Sequence, residues 1–375
     1  MNFAFCLYKY FPYGGLQRDF LRIAEEAARR AHRVTAYVGE WEGAIPDKLK
    51  VVIVPTRGLF NHYRSANFYA DVRPLLQAER YDAVTGFNKI PGLDLYYAAD
   101  VCFKDRTTHR SAFYRLMPRY RHFVSFEQAV FDPRAHTKIL LLAASQREPY
   151  MRQYGTPVER FHVLPPDVAP DRKIESFDES MRIEAREQLQ LESSERIVLM
   201  VGSGFKTKGL DRALEAMAAL PPVLRARSRL LIVGQDNPRA YRKQALILGI
   251  VDRVSFLGGR DDIPRLLRAA DVLIHPAYHE NTGSVLLEAM ASGLPVLVTD
   301  VCGYAPHVEA GKAGVLVHTP FQQSALNAAL LDMLQSDRRA DWGRSGIAYI
   351  RSIDTTDRVK EVVDLIEAEA ERRQQ

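Results

Sequence analysis

Short apolar runs alternate with amphipathic stretches along the whole chain. In the first half the runs fall near 2–8, 33–38, 50–54, 82–86 and 137–143. In the second half they fall near 196–201, 229–233, 254–257, 271–275, 295–299 and 314–317. Each is brief, aliphatic and bounded by polar or glycine-containing turns, which predicts buried strands. Between them lie helical periodicities. Leu16, Phe20, Ile23, Ala24 and Ala27, for example, are spaced to line one helix face after the first loop. Strands alternating with helices predict an α/β fold with parallel sheets. Helices at about 321–335, 338–351 and 356–372 close the chain.

The pattern restarts after LPPDVAPDRKIESFDES, whose prolines and polar residues around 165–180 read as a linker. A chain of 375 residues suits two domains. We place a first domain at 1–168 and a second at 169–355, with 356–375 a helix crossing back to the first. Two doubly wound sheets in tandem are expected to enclose a cleft, with ligands beyond the carboxyl ends of strands, where loops become helices.

Composition narrows the field modestly. Hydrophobic residues make up 47% and charged residues 26%, which is globular rather than disordered. A net charge of +5 permits an anionic partner without choosing one. Cys6, Cys102 and Cys302 are far apart and form no C-x-x-C pair, which argues against zinc or a disulfide framework and fits a reducing cytoplasm. The opening MNFAFCLYKYF lacks a basic start and a cleavage site, so it reads as a strand rather than a signal peptide. No run of 18 apolar residues occurs, so no membrane-spanning helix is expected.

Three strand-following loops carry candidate chemistry. In HENTGSVLLEAMASGLPVLVTD, residues 279–300, Asn281, Thr282, Gly283, Ser284 and Val285 lie where a loop becomes a helix. Backbone amides and the helix dipole there would bind an anion. Glu280 precedes the helix and could grip sugar hydroxyls; Glu288, about a turn inside it, could accept from a ribose diol. The plainer alternative is a helix capped by Thr282 or Ser284, with Glu288 merely solvated. In GSGFKTKGLD, residues 202–211, Lys206 and Lys208 would sit near a helix start, facing a diphosphate or else solvent. In KYFPYGGLQRDF, residues 9–20, Gly14 and Gly15 would let a ligand approach the backbone closely, and Asp19 falls in the first helical turn.

The spacing Glu280-x7-Glu288, followed by Ala289, Gly293, Pro295 and Val296, resembles the signature of the family 4 glycosyltransferases. The resemblance implies the GT-B fold, two Rossmann-like domains facing across a cleft, and retaining transfer from a nucleotide sugar. It implies that Glu280 contacts the donor sugar, Glu288 holds the ribose, and the 281–285 amides bind the diphosphate. Lys208, before Gly209, matches the lysine that neutralises the leaving group. The accompanying arginine falls at Ser203 here, so Lys206 substitutes or that charge is missing. By the same resemblance the Gly14–Gly15 loop faces the donor, and Asp19 contacts donor or acceptor hydroxyls. With GFNKIPGLDLYYAADVC at 86–102, the likeness narrows to the bacterial glucosyltransferases of the lipopolysaccharide core. That implies a UDP-sugar donor, usually UDP-glucose, a phosphorylated heptose acceptor, and Asp100 as an acceptor-side candidate base.

Residues 103–132 hold six Lys/Arg, three Asp/Glu and seven aromatics. The composition fits an anionic membrane surface, a nucleic-acid patch, or a helical hairpin with core aromatics. The lipid acceptor implied above favours the membrane over nucleic acid. Lys104, Arg106, Arg110, Arg115, Arg119 and Arg121 are the candidate membrane and acceptor contacts. The expected location is therefore peripheral, at the inner face of the bacterial inner membrane. There is no D-x-D motif, so neither metal nor cofactor is expected. Rival readings are a UDP-N-acetylhexosamine transferase on the same acceptor, a UDP-sugar 2-epimerase of the same fold, and a non-catalytic nucleotide- or lipid-binding protein. A dehydrogenase is disfavoured, because no G-x-G-x-x-G follows the first strand.

Overall fold

In the computed structural model the apolar runs assemble into two all-parallel sheets, one in each of two units. The units are Met1–Pro166 with Thr356–Gln375, and Asp167–Thr355. The structure describes residues 1–12, 14–168, 179–353 and 358–374. The linker expected at 165–180 thus falls largely outside the described residues.

The first unit contains β1 (Asn2–Tyr10), β2 (Arg33–Trp41), β3 (Lys50–Ile53), β4 (Ala83–Gly86), β5 (Leu95–Ala98), β6 (Lys138–Leu141) and β7 (Phe161–Val163). Their order is β3-β2-β1-β4-β5-β6-β7. Alternate residues of β1 serve two cores. Phe3, Phe5 and Leu7 pack with Phe20 and Ile23 of the helix Gly15–Arg29 and with Val362 and Ile366 of the helix Arg358–Gln374. Ala4 and Cys6 face Phe68, Phe131 and Tyr150 on the other side. A strand buried on both faces reads as a continuous apolar run, which is why β1 is so legible.

The pattern missed two strands of this unit and the helices Asn61–Ala78 and Arg147–Tyr154. The run LYYA of β5 is short and wholly buried, with no alternation to mark it, and β7 has three residues. The helix Asn61–Ala78 carries Pro74 internally and buries Ser65, Phe68 and Val72, a faint stripe.

The second unit contains β8 (Arg196–Val201), β9 (Ser228–Val233), β10 (Val254–Gly258), β11 (Val272–His275), β12 (Val296–Thr299) and β13 (Gly314–Val317), close to the ranges expected. The order is β10-β9-β8-β11-β12-β13. Val198, Met200, Ile274 and Leu297 form its core with Leu210, Leu214 and Met217 of the helix Leu210–Ala218. In both sheets the winding reverses once, between β1 and β4 and between β8 and β11. The loops beyond such a reversal diverge and leave a crevice at the carboxyl edge. No helix among the described residues is long and apolar enough to cross a membrane.

Candidate active site

At the reversal of the second sheet, the loop leaving β8 meets the loop leaving β11. Gly209 makes this possible: its φ is +74°, and a Cβ there would lie 2.1 Å from the Pro276 carbonyl oxygen. The Tyr278 N–H donates to the Thr207 carbonyl at 2.8 Å. The Arg212 guanidinium lies 3.6 Å from the ring centres of both Tyr278 and Phe321 and donates to the carbonyls of Pro276 and Ala277. The two loops are therefore fixed before any ligand arrives.

This bracing sets the Lys208 ammonium against the Glu280 carboxylate. The His275 imidazole Nε2 lies 3.2 Å from the same carboxylate oxygen, and the ring is 1% exposed. Burial, reinforced by the Lys208 charge, holds His275 well below the usual imidazole range, so the ring is neutral and donates to Glu280. Burial likewise brings the Lys208 ammonium down to about 8, while the carboxylate in contact favours its charged form.

Gly283, at φ +79°, precedes the helix Ser284–Ala291. The capping residue is thus neither Thr282 nor Ser284. Having no side chain, Gly283 cannot cap the first-turn amides of Ser284 and Val285, and the positive end of the helix stays available to an anion. Asn281 and Thr282 are buried, and the Thr282 carbonyl accepts the Tyr304 N–H at 2.9 Å. Glu288 is also buried, at 5% exposure.

Ser203 accepts the Gln235 N–H at 3.0 Å, so the position where the resemblance puts an arginine ties the β8 loop to the β9 loop. Lys206 is exposed on the turn, and Lys208 alone of the two lysines meets Glu280. Sequence reasoning missed His275 and Arg212. The signal for His275 was a histidine–proline pair at the carboxyl end of an expected strand, five residues before Glu280.

The remaining candidates lie in the first unit. Gly14 is extended; a Cβ there would fall 1.9 Å from the Gln17 amide oxygen, and Gln17 donates to the Lys9 carbonyl. Open space surrounds the Cβ position of Gly15. Asp19 lies beyond the first helical turn, in which the sequence placed it, because the helix begins at Gly15. It is 7% exposed, and one carboxylate oxygen accepts from the Tyr97 hydroxyl at 2.8 Å and from Arg358 at 3.0 Å. It ties the first helix to β5 and to the last helix.

Asp100 is exposed in the wall of a cavity of about 230 Å³, with Asn88, Lys89, Arg106, Arg119 and Phe123 among its neighbours. Arg106, Arg110, Arg115, Arg119 and Arg121 are exposed. Lys104 is a correction: its ammonium donates to the Gln153 carbonyl at 2.8 Å and lies over the Tyr154 ring, facing protein.

The family model described as "Glycosyl transferases group 1" matches residues 181–348. The lipopolysaccharide glucosyltransferase WaaG of Escherichia coli K12 is 43% identical over 368 residues, covering 98% of each chain. The crystal structure of WaaG, a glycosyltransferase involved in lipopolysaccharide biosynthesis, superposes with a TM-score of 0.95 at 42% identity, covering 97% of this chain and 99% of that one. The structure of Anabaena HepE in complex with UDP-glucose shares the fold, with a TM-score of 0.73 at 20% identity, covering 98% of this chain and 100% of its own.

Proposed function

Since this chain belongs to the group 1 glycosyl transferases and, within them, to the lipopolysaccharide glucosyltransferases, we propose that it moves glucose from UDP-glucose to an inner-core heptose, retaining configuration and needing no metal. The observation that carries this reading is the Lys208–Glu280–His275 cluster beside the open helix start of Ser284 and Val285.

Each part has work suited to it. The donor diphosphate binds the amides of Ser284 and Val285 and draws the Lys208 ammonium from Glu280. The charge that develops on the departing phosphate then meets a fixed cation and fixed dipoles. Glu280, released from Lys208 and oriented by His275, accepts the hydroxyls of the glucose. Glu288 accepts from the ribose. Attack on the face from which the diphosphate leaves retains configuration, and the departing phosphate oxygen takes the acceptor proton without a carboxylate nucleophile. The cavity beside Asp100 receives the heptose. Arg106 and Arg119 in its wall pair with heptose phosphates through forked hydrogen bonds, and Asp100 accepts from an acceptor hydroxyl and orients it, the proton itself passing to the phosphate oxygen. Residues 103–132 hold the protein against the anionic inner face of the inner membrane, with Phe113 74% and Leu116 60% exposed among the arginines.

The test is product analysis on heptose-terminated core with UDP-glucose, UDP-galactose and UDP-N-acetylhexosamines, each with and without excess chelator. The expected result is transfer from UDP-glucose with the donor's anomeric configuration and no loss of rate in chelator. Transfer from a UDP-N-acetylhexosamine alone, an inverted product, or epimerised UDP-sugar without acceptor would each overturn the reading.

A further inference from the structure

A second apolar cluster stands exposed on the first unit, outside the basic-aromatic segment. Leu59 is 95%, Phe60 61% and Tyr63 50% exposed. The cluster has internal order: the Phe60, His62 and Tyr63 rings pack on one another, with His62 and Tyr63 centroids 4.2 Å apart. Gly58 sets the turn that presents it, at φ +126° and with a Cβ position 2.8 Å from Tyr63 Cβ. Bulky apolar side chains gathered in water at a shaped turn call for a partner.

Helix direction identifies the partner. Two contacts between the helices Asn61–Ala78 and Pro118–Phe131 fix their direction: Ser65 Oγ lies 3.0 Å from His122 Nε2, and the Tyr69 and Phe126 ring centroids are 5.4 Å apart. Both contacts advance by four residues along both helices, so the helices run parallel. Each leads into a strand of the same parallel sheet, β4 or β6, so both begin at its carboxyl edge. Phe60 is the residue before the first helix and Met117 the residue before the second. Leu59 and Phe60 therefore emerge level with Leu116 and Met117. The Asp100 cavity is lined by Asn61 and by Arg119, residues at the start of each helix, and so lies between the two apolar ends.

We infer that the turn 58–63 is a second membrane anchor, inserting Leu59 and Phe60 into an anionic bilayer beside the 103–132 segment. The two together straddle the acceptor cavity. This rests on the membrane reading proposed above and assigns it a second, separate element. Chemistry favours a bilayer over a protein partner. The turn carries Arg57 and Arg64 and no acidic residue from 57 to 70, and it adjoins a surface of exposed arginines and aromatics. Arg57 and Arg64 are already paired with Asp71 and Glu40, so the turn contributes by apolar insertion, and the neighbouring segment supplies most of the attraction to charge.

The experiment is co-sedimentation of the full chain with phosphatidylglycerol-containing vesicles across a salt series. It compares wild type with Leu59→Ser/Phe60→Ser and with Phe113→Ser/Leu116→Ser. The first pair removes little buried surface, and serine at the residue before a helix is a favoured cap, so the fold should survive, checked by thermal melting. Expected is a loss of vesicle binding of about tenfold or more in Leu59→Ser/Phe60→Ser that persists at high salt, with unchanged turnover on a water-soluble acceptor. If only the Phe113→Ser/Leu116→Ser pair weakens binding, this inference fails and the membrane reading stands. If wild type does not bind vesicles, both fail. If Leu59→Ser/Phe60→Ser instead alters the sedimentation coefficient without lipid, the turn is a self-association surface and the inference is overturned.

Discussion

Where the second sheet reverses, between β8 and β11, a lysine, a glutamate and a neutral histidine meet beside an uncapped helix start. Where the first sheet reverses, between β1 and β4, the polar groups are largely spent on one another. The Asn88 side-chain amide oxygen accepts the Tyr8 N–H at 2.8 Å, and Tyr8 and Ser65 share a hydrogen bond of 2.6 Å. Lys89 donates to Glu127 at 2.7 Å. Glu127 is fully buried and also accepts from the amides of Phe103 and Lys104 and from the Tyr154 hydroxyl. Burial opposes its charge, yet Lys89 and the two amides hold its carboxyl below the usual range. The same sheet order thus serves two ends. One reversal sets an ion pair beside an open helix start; the other uses its charge to anchor the start of the basic segment, and its Tyr8, Asn88 and Lys89 line the same cavity as Asp100.

The largest expected effect tests that anchoring. Glu127→Ala strands the half-buried Lys89 cation and two amides, so it should cost about 3–5 kcal/mol in chemical denaturation. A loss under about 1 kcal/mol, typical of an exposed pair, would show that the first reversal is not held by charge. Next comes Lys208→Ala, expected to lower kcat/KM about a hundredfold or more. Asp19→Asn is its counterpart: kcat/KM should stay within about threefold while stability falls, because its partners are Tyr97 and Arg358. If Asp19→Asn proved as damaging to turnover as Lys208→Ala, chemistry would have to be reassigned to the first unit.

The two reversals also differ in how far the sequence revealed them. The strands of the second unit are aliphatic runs between polar turns, and Lys208, Glu280 and Gly283 lie close to the strand ends that position them, so both fold and site were visible locally. In the first unit the deciding partners are remote. Asp19 reads as a first-turn acid whichever role it has, and its partner Arg358 lies 339 residues away. Lys104 reads as a solvent cation, but a carbonyl 49 residues on claims it. The tyrosines of β5 offered no alternation because both faces of that sheet are covered. His275 went unseen because its significance depends on burial and on a carboxylate brought back to it by a loop.

The smallest effect is the most diagnostic of the open reversal. Burial brings the Lys208 ammonium down to about 8, below its ordinary value. The charge is therefore present below that pH and lost above it. On the proposal that this charge meets the departing diphosphate, kcat/KM, which reports the free enzyme, should be level on the acid side. It should fall above about pH 8, approaching one decade per pH unit. A bound diphosphate favours the charged lysine, so the limb in kcat should lie at higher pH than the limb in kcat/KM. Lys208→Arg separates this group from any other titrating there: a guanidinium keeps its charge throughout, so the alkaline limb should vanish even where the rate is reduced. A wild-type kcat/KM that stays level well past pH 9, or a limb that survives in Lys208→Arg, would mean that the cation at this reversal is not the one the diphosphate uses.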